Sequence, residues 1–553
     1  MPTPTRAPLI AVHLALAGVL AVAALGTGLV ARTPVVAAVE PNFPASMSGY
    51  HNYVEMVATI KQAALSYPSI VKVFSIGKSY QGRDIWAVKI SDHVATDENE
   101  PEVLIDALHH AREHLSTEQA LALIRWLTTG YGKDSTVTRL VNTREIYVIP
   151  ALNPDGMRYD LTGSPFRAWR KNRQPNAGSS AIGTDLNRNY GWHFGCCGGS
   201  SGNPASLTYR GPRAFSAPET QAFRNFVLSR VVNGVQQIRT HVTLHTNGKL
   251  VLWPYGYTRT NIPADMTSLD HAAFVRLGMA MAALNGYRAE QSSDMYITDG
   301  DQIDWLYGAQ RIFTFTFELY PAESATVAGD FYPDDSHIAA ETARNRSALL
   351  LLIDRAGCPY AAISTAHLAQ DCGAMYDDFE MNRAWTVNPL RTDTATAGAW
   401  QVANPAGTSL GGAKQLDVTV SGRQSLVTGA AAGTSANAND VDGGTTMIRS
   451  RAVALPADAA AIGLMTFRYS FAHDAASTAE DSLQVMVEAE DGTRTTVFEV
   501  AGAPVNANGA WRYASASMAP FAGQTIRIVV AATDGGANNL VEAQVDDLRI
   551  RRP

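Results

Sequence analysis

Residues 103–114 read VLIDALHHAREH, an apolar run that ends on two histidines and, three residues past the second, a carboxylate. A short apolar run bounded by polar residues is the pattern of a strand buried on both faces, and such strands belong to sheets covered by helices. An imidazole and a carboxylate three residues apart at a strand end offer two ligands to one divalent cation. A hydrolytic zinc site takes three protein ligands and keeps one position for water. Two stretches downstream can complete the set. Residues 242–245 (VTLH) end a second apolar strand on His245, and residues 311–319 (RIFTFTFEL) carry a lone acid, Glu318, in an otherwise apolar strand. A carboxylate is costly in such surroundings unless something there needs its charge.

The flanking sequence alternates between two periodicities. Tyr53, Met56, Val57, Ile60, Ala63 and Ala64 are spaced for one face of a helix within residues 50–67. Strand patterns follow at Val71–Ile76 and Ile85–Ile90, separated by a turn at Gln81–Asp84, and another buried strand is expected at Arg144–Leu152. Ser116 with Gln119 predicts a capping box ahead of Ala120, Leu123, Ile124 and Leu127. Ser216 with Glu219, and Pro218 in the first turn, predicts a second. Strands alternating with helices argue for an α/β domain with a mixed sheet. The candidate residues lie near strand ends, where open α/β sheets place their sites.

In order and spacing, the motifs between about Tyr50 and Cys358 resemble the zinc metallocarboxypeptidase family of the carboxypeptidase A type, and within it the secreted bacterial carboxypeptidase T branch. The resemblance implies a mixed sheet of the eight-stranded type flanked by helices, with one Zn2+ held by His110, Glu113 and His245. Trp169-Arg170-Lys171 matches the motif whose arginine polarises the scissile carbonyl. Asn187 and Arg188 match the pair that grips the substrate's terminal carboxylate, and Tyr296 the mobile tyrosine that joins them. Glu318 matches the general base, and Asp185 the residue that orients the first zinc histidine. Arg112 is expected either to meet the substrate backbone or to form a structural ion pair; His109 and His114 are read as packing or surface residues. In the family an Ile at the position of Ile303 accompanies apolar C-terminal residues and an Asp accompanies basic ones. Asp301, two residues earlier, is an acid that carboxypeptidase T-like enzymes also have, so dual apolar and basic specificity is expected. Against this, Asp301 or Asp299 is also placed to cap a helix through Ile303-Asp304-Trp305.

Composition bounds the rest. The 553 residues, 46% of them apolar, suit two or three globular domains, and a net charge of −7 with no Lys/Arg run gives no reason to expect nucleic acid as a partner. Arg6 precedes an uncharged run over residues 7–31, then Pro34 and Val36-Ala37-Ala38. This is the pattern of a secretory leader cleaved near Ala38, which places the protein outside the cytoplasm, extracellular or periplasmic; membrane attachment is expected only if that leader stays uncleaved. In an oxidising compartment Cys358 and Cys372 can close a small loop. The adjacent Cys196 and Cys197 read as a vicinal disulfide, with free thiols or a zinc contact as alternatives.

The expected organisation is a leader over residues 1–38, a short segment 39–49, a catalytic domain 50–358, a linker 359–374 and an accessory domain 375–553. With so few residues before the catalytic start, latency through a large N-terminal pro-segment is not expected. Past Cys372 helical periodicity fades, and short alternating runs appear at Leu416–Val420, Leu464–Phe471, Leu483–Ala489, Thr495–Val500, Thr525–Ala532 and Val541–Ile550. They predict an all-β sandwich, jelly-roll-like. Asp377-Asp378 and Asp546-Asp547 there either share a Ca2+ or are solvated acidic turns. The leading functional expectation is a monomeric, secreted zinc carboxypeptidase acting on peptides and proteins with a free C-terminus. An inactive peptidase-like adhesion protein and a relative acting on cell-wall peptides are the alternatives.

Overall fold

The apolar runs become the centre of an eight-stranded mixed sheet. Its strands are β1 (Val71–Lys78), β2 (Asp84–Ile90), β3 (Glu102–Ala107), β4 (Glu145–Ile149), β5 (Ile238–Gly248), β6 (Leu250–Trp253), β7 (Arg288–Gln291) and β8 (Phe313–Ala322), in the order β1-β2-β4-β3-β5-β8-β6-β7. The central strands β4, β3, β5 and β8 run parallel, while β1–β2, β2–β4 and β6–β8 pair antiparallel. The computed structural model describes residues 40–551, except 99, 233–234, 323–330, 365–366, 368–371, 381, 432, 434 and 460–461. The expected leader lies outside the described residues. Among those described, no helix is long and apolar enough to cross a membrane.

Period-two alternation sorts the central strands into two unlike faces. One face is wholly apolar. Val103, Ile105, Val242, Leu244, Phe315 and Phe317 pack there against α2 (His114–Gly130), α4 (Ser268–Asn285) and α6 (Arg346–Arg355). On the other, Leu104, Tyr147 and Ile149 pack on Phe223 of α3 (Pro218–Ser229) and on Trp305 and Leu306 of α5 (Gln302–Gln310). This second face turns polar toward the strand C-termini. Asp106 of β3, His241, Thr243 and His245 of β5, and Thr314, Thr316 and Glu318 of β8 occupy it. The helix α1 spans Tyr53–Ser66 and starts on an Asn52/Glu55 capping box.

Neither of the two expected capping boxes forms. α2 starts at His114, directly after Glu113, so Ser116 already lies in its first turn. The Ser116 hydroxyl donates to the Glu113 carbonyl at 2.6 Å and accepts from the Leu108 amide at 3.1 Å, tying the strand end to the helix start. α3 has Ala217 at its N-cap with no side-chain cap. Ser216 instead accepts from the Asn189 amide at 2.9 Å, and buried Glu219 accepts from the Tyr80 backbone at 3.0 Å and Asn172 at 2.8 Å. In both places a tertiary partner outcompetes the local cap.

Residues beyond 374 form two six-stranded antiparallel sheets with a core of their own, including Trp400, Phe467, Phe471, Val485, Ile528, Val545 and Leu548. Leu416–Val420 is not a strand. The Leu416 backbone exchanges hydrogen bonds with the Gln544 side chain at 2.9 and 3.0 Å, and the Val420 amide donates to Asp546 at 2.8 Å. Calcium, one of the two alternatives for the acidic pairs, is not supported either. Asp377 accepts from the Trp385 indole at 2.8 Å, Asp378 from Arg383 at 3.2 Å and Asp547 from Ser421 at 3.0 Å, so protein donors take the oxygens a cation would need. Nor are these solvated turns, since Asp377, Asp378 and Asp546 are buried. The described residues from Pro41 onward form one compact unit.

Candidate active site

β3 ends at Ala107, and the chain turns through Leu108, a buried residue with φ +59° in the left-handed region that non-glycine residues avoid. That turn delivers His110 and Glu113 to the polar face. His245 arrives from the end of β5. The ligating atoms of these three buried residues lie within 4.8 Å of one another. His110 Nδ1 is 2.7 Å from Glu113 Oε1 and 3.1 Å from His245 Nδ1, while His245 Nδ1 is 2.9 Å from Glu113 Oε2. The other ring nitrogen of His110, Nε2, faces Asp185 Oδ1 at 3.1 Å, which leaves Nδ1 as the lone-pair atom. Burial and the nearby Arg170 lower the His110 pKa and favour the neutral, ligating imidazole. Three electron-pair donors pointed at one another are stable only around a cation, and this N,N,O set fits Zn2+.

Asp185 is shared. Its Oδ2 accepts from Arg170 Nε and Nη2, both at 3.0 Å, and its Oδ1 also takes the Asn187 amide at 3.1 Å. One buried carboxylate thus sets the His110 tautomer and the Arg170 position. Burial alone would raise its pKa, but Arg170 and His110 outweigh that and hold it ionised. Arg170, Arg112, Asn187, Arg188, Tyr296, Asp301, Ile303 and Glu318 all line one cleft of about 190 Å3 with His110 and Glu113. Glu318 lies opposite His245 in the parallel β5–β8 register. Adjacent strands are about 4.8 Å apart, so its carboxylate stands beside His245 on the same face.

Arg188 is almost wholly buried. Its Nε donates to the Gly199 carbonyl at 3.0 Å and its Nη1 to the Asn187 carbonyl at 2.6 Å. The exposed Tyr296 ring has its centroid 5.9 Å from the guanidinium carbon. Asn187 Oδ1 accepts the Gln302 amide at 2.9 Å, which fixes that side chain at the start of α5. Arg112 lies over the Phe331 ring at 3.9 Å. Asp301 is the N-cap of α5: Oδ1 accepts the Asp304 amide at 2.9 Å and Oδ2 the Thr298 hydroxyl. It therefore both caps the helix and lines the cleft beside Ile303, Met295 and Leu252.

The two remaining histidines of the motif pack. His114 is buried against Asp160 at 2.9 Å, and His109 stacks under His245 with ring centroids 5.4 Å apart. His109 also belongs to a network that the sequence motifs did not reveal. Asp106 sits 2.5 Å from His241, 3.2 Å from His109, 2.8 Å from the Thr243 hydroxyl and 2.7 Å from the Gln302 amide, all buried beneath the ligands. Its only signal in the sequence was the period-two spacing of His241, Thr243 and His245. Cys196–Cys197 and Cys358–Cys372 are both disulfides, the first within the loop that carries Gly199.

Comparison with known proteins agrees with this geometry. The zinc carboxypeptidase family matches residues 56–348, more than half of the chain. A zinc carboxypeptidase of Saccharothrix mutabilis subsp. capreolus is 49% identical over 317 residues, covering 57% of this chain and 72% of that protein. Carboxypeptidase A2 of Rattus norvegicus is 32% identical over 277 residues, covering 50% of this chain and 63% of that protein, so the chain spans less than two thirds of the mammalian relative's length. Among solved structures, thrombin activatable fibrinolysis inhibitor superposes with a TM-score of 0.50 at 26% identity, covering 56% of this chain and 74% of that one. With a mixed sheet, a histidine–glutamate–histidine cluster at its C-terminal edge and a family match across both, the chain belongs to the zinc carboxypeptidases.

Proposed function

We propose that this protein removes single residues from the free C-terminus of peptides, with His110, Glu113 and His245 holding the zinc ion and Glu318 acting as general base. The observation that carries the reading is a single cleft lined by His110 and Glu113 of this donor set and by a buried arginine, Arg188. Zinc bound there supplies Lewis acidity and brings the pKa of water toward about 7. Glu318 accepts a proton from the attacking water and passes it to the departing amine. Arg170, braced by Asp185, stabilises negative charge growing on the carbonyl oxygen. Arg188, Asn187 and Tyr296 hold the terminal carboxylate, since a guanidinium fork matches a carboxylate in shape and charge. Arg112 borders the same cleft and contacts the substrate backbone.

The specificity floor is Ile303 with Met295 and Leu252, apolar surface suited to Leu, Phe and Met. Asp301 adds a carboxylate that can meet Lys or Arg, which gives dual specificity. The uncharged leader pattern and two disulfides support action outside the cytoplasm. The deciding experiment is release of amino acids from matched free and amidated peptides, with and without a chelator. Chelator-sensitive release from free peptides alone is expected. Equal cleavage of amidated peptides would remove the carboxylate clamp from the reading.

A further inference from the structure

Away from the cleft, a cavity of about 360 Å3 opens where the catalytic sheet meets the sandwich. Four guanidinium groups line it: Arg239 of β5 and Arg311 just past α5 on one side, Arg383 and Arg451 from sandwich loops on the other. Nearby acids compensate them unevenly: Asp378 and Asp377 lie 3.2 and 4.0 Å from Arg383 and Glu380 lies 3.7 Å from Arg311, while no acid comes within 4.0 Å of the Arg239 or Arg451 guanidinium among the described residues. Asp270 is occupied by the Tyr307 and Tyr360 hydroxyls at 2.7 Å each, and burial, with Asp378 nearby, raises its pKa. Asp378 is taken by Arg383 at 3.2 Å. Burial and repulsion from Glu98 push Glu100 up to about 7, so it carries only part of a charge at neutral pH.

The arginines are left with unused donors. Arg311 donates to the Asp265 carbonyl at 2.9 Å and lies 3.7 Å from Glu380, yet its Nε is buried without a hydrogen-bond partner among the described residues, as is Nε of Arg383. Among the described residues Arg451 makes one side-chain hydrogen bond, to the Ala452 carbonyl at 3.2 Å. Arg239 makes none among the described residues. It is exposed to solvent, and some loss of hydration, with the facing Arg383 and Arg451, lowers its pKa. Like charges held together with donors unused are costly, and an anion with several acceptor oxygens relieves both costs at once.

We propose that this cavity binds a small multivalent oxyanion of the phosphate or sulfate class, gripped by Arg239 and Arg311 from the catalytic side and by Arg383 and Arg451 from the sandwich. A bound anion would then fasten the two sheet systems together. The test is calorimetric titration and thermal unfolding of the full-length protein with inorganic phosphate and with sulfate, against chloride at matched ionic strength. Saturable binding and a raised unfolding midpoint are expected with the oxyanions and not with chloride. Arg239→Gln/Arg451→Gln should weaken binding roughly tenfold or more while leaving peptidase activity in anion-free buffer unchanged. Arg188→Ala should keep the stabilisation, which separates this cavity from the cleft. Should the double variant fail to fold, Arg239→Lys, which keeps the charge but loses the fork, should still weaken binding. Stabilisation equal to that by chloride, or undiminished in these cavity variants, would overturn the proposal.

Discussion

In the proposed mechanism the Glu318 carboxylate accepts and then donates a proton without being a ligand, so its loss and the loss of a ligand must look different. Glu318→Gln should lower kcat by about 10²–10⁴ while zinc content, read by elemental analysis, stays near one per chain. His245→Ala should lose the metal. Near-normal turnover in Glu318→Gln would exclude it as the base. Asp301 poses a subtler question, because it caps α5 and lines the cleft beside the proposed specificity floor at once. Asparagine is an equally good N-cap, so Asp301→Asn should leave the unfolding midpoint unchanged, abolish release of C-terminal Lys and Arg, and spare Leu and Phe. An equal fall on both substrate classes would leave only the capping role. Burial raises the Asp301 pKa, so the ionised form needed by a basic side chain disappears as pH falls, starting above the ordinary carboxylate value of about 4. The ratio of Lys to Leu release should therefore drop on acidification before overall activity does. At this scale the sequence was legible where function concentrates unlike residues at strand ends, as at His110 and Glu113. It was silent on Asp106, His241, Thr243 and Gln302, which are scattered along the chain, and in it His109 read only as a packing or surface residue.

The loop carrying Cys196–Cys197 shows how one element holds another. Asp299 accepts from the Cys197 amide at 3.1 Å, the Gly199 amide at 2.9 Å and the Ser200 hydroxyl, and the Gly199 carbonyl in turn holds Arg188. Gly199 approaches Thr298 so closely that a Cβ would stand 2.4 Å from its backbone, so only glycine fits. Asp299→Ala should raise KM for free C-terminal peptides roughly tenfold with little change in kcat, because it loosens the carboxylate grip and not the metal site. A proportional fall in kcat with unchanged KM would place Asp299 elsewhere in the mechanism. The same precedence of tertiary partners over local ones explains the two capping boxes that the sequence predicted and the structure lacks. Ser116 and Ser216 sit where local rules expect caps, but each finds a partner from another segment: the Leu108 amide for the first, Asn189 for the second. Long, strongly patterned strands such as Val541–Ile550 were readable from alternation alone. Short ones such as Trp400–Ala403 and Ser425–Thr428 were not, since four residues carry too little pattern to stand out from turns.

At the level of the whole molecule the question is how far the sandwich matters to the chemistry. The cleft is lined by residues between His110 and Phe331, and each sheet system has its own apolar core. A chain ending just past Cys372 should therefore fold, keep the Cys358–Cys372 disulfide and cleave peptides with an unchanged KM. It should also be less stable. Tyr376 of the sandwich packs against the catalytic core, with its ring 6.1 Å from Tyr360, and Glu380 approaches Arg311 at 3.7 Å. Removing an aromatic side chain from such a contact costs about 2 kcal/mol, which corresponds to several degrees in the unfolding midpoint of a domain this size. The buried Arg311–Glu380 pair adds little, because at 3.7 Å its attraction is largely offset by the cost of taking both charges out of water. Truncation also removes Arg383 and Arg451, leaving Arg239 and Arg311 with fewer like charges to oppose, which offsets part of the loss. Activity assays and thermal unfolding of the truncated and full-length proteins separate these contributions. A truncated protein that is soluble, active and only a few degrees less stable would mark the sandwich as an attachment and not a component of the site; an insoluble or inactive one, with its disulfide intact, would show that the catalytic sheet needs the junction to fold.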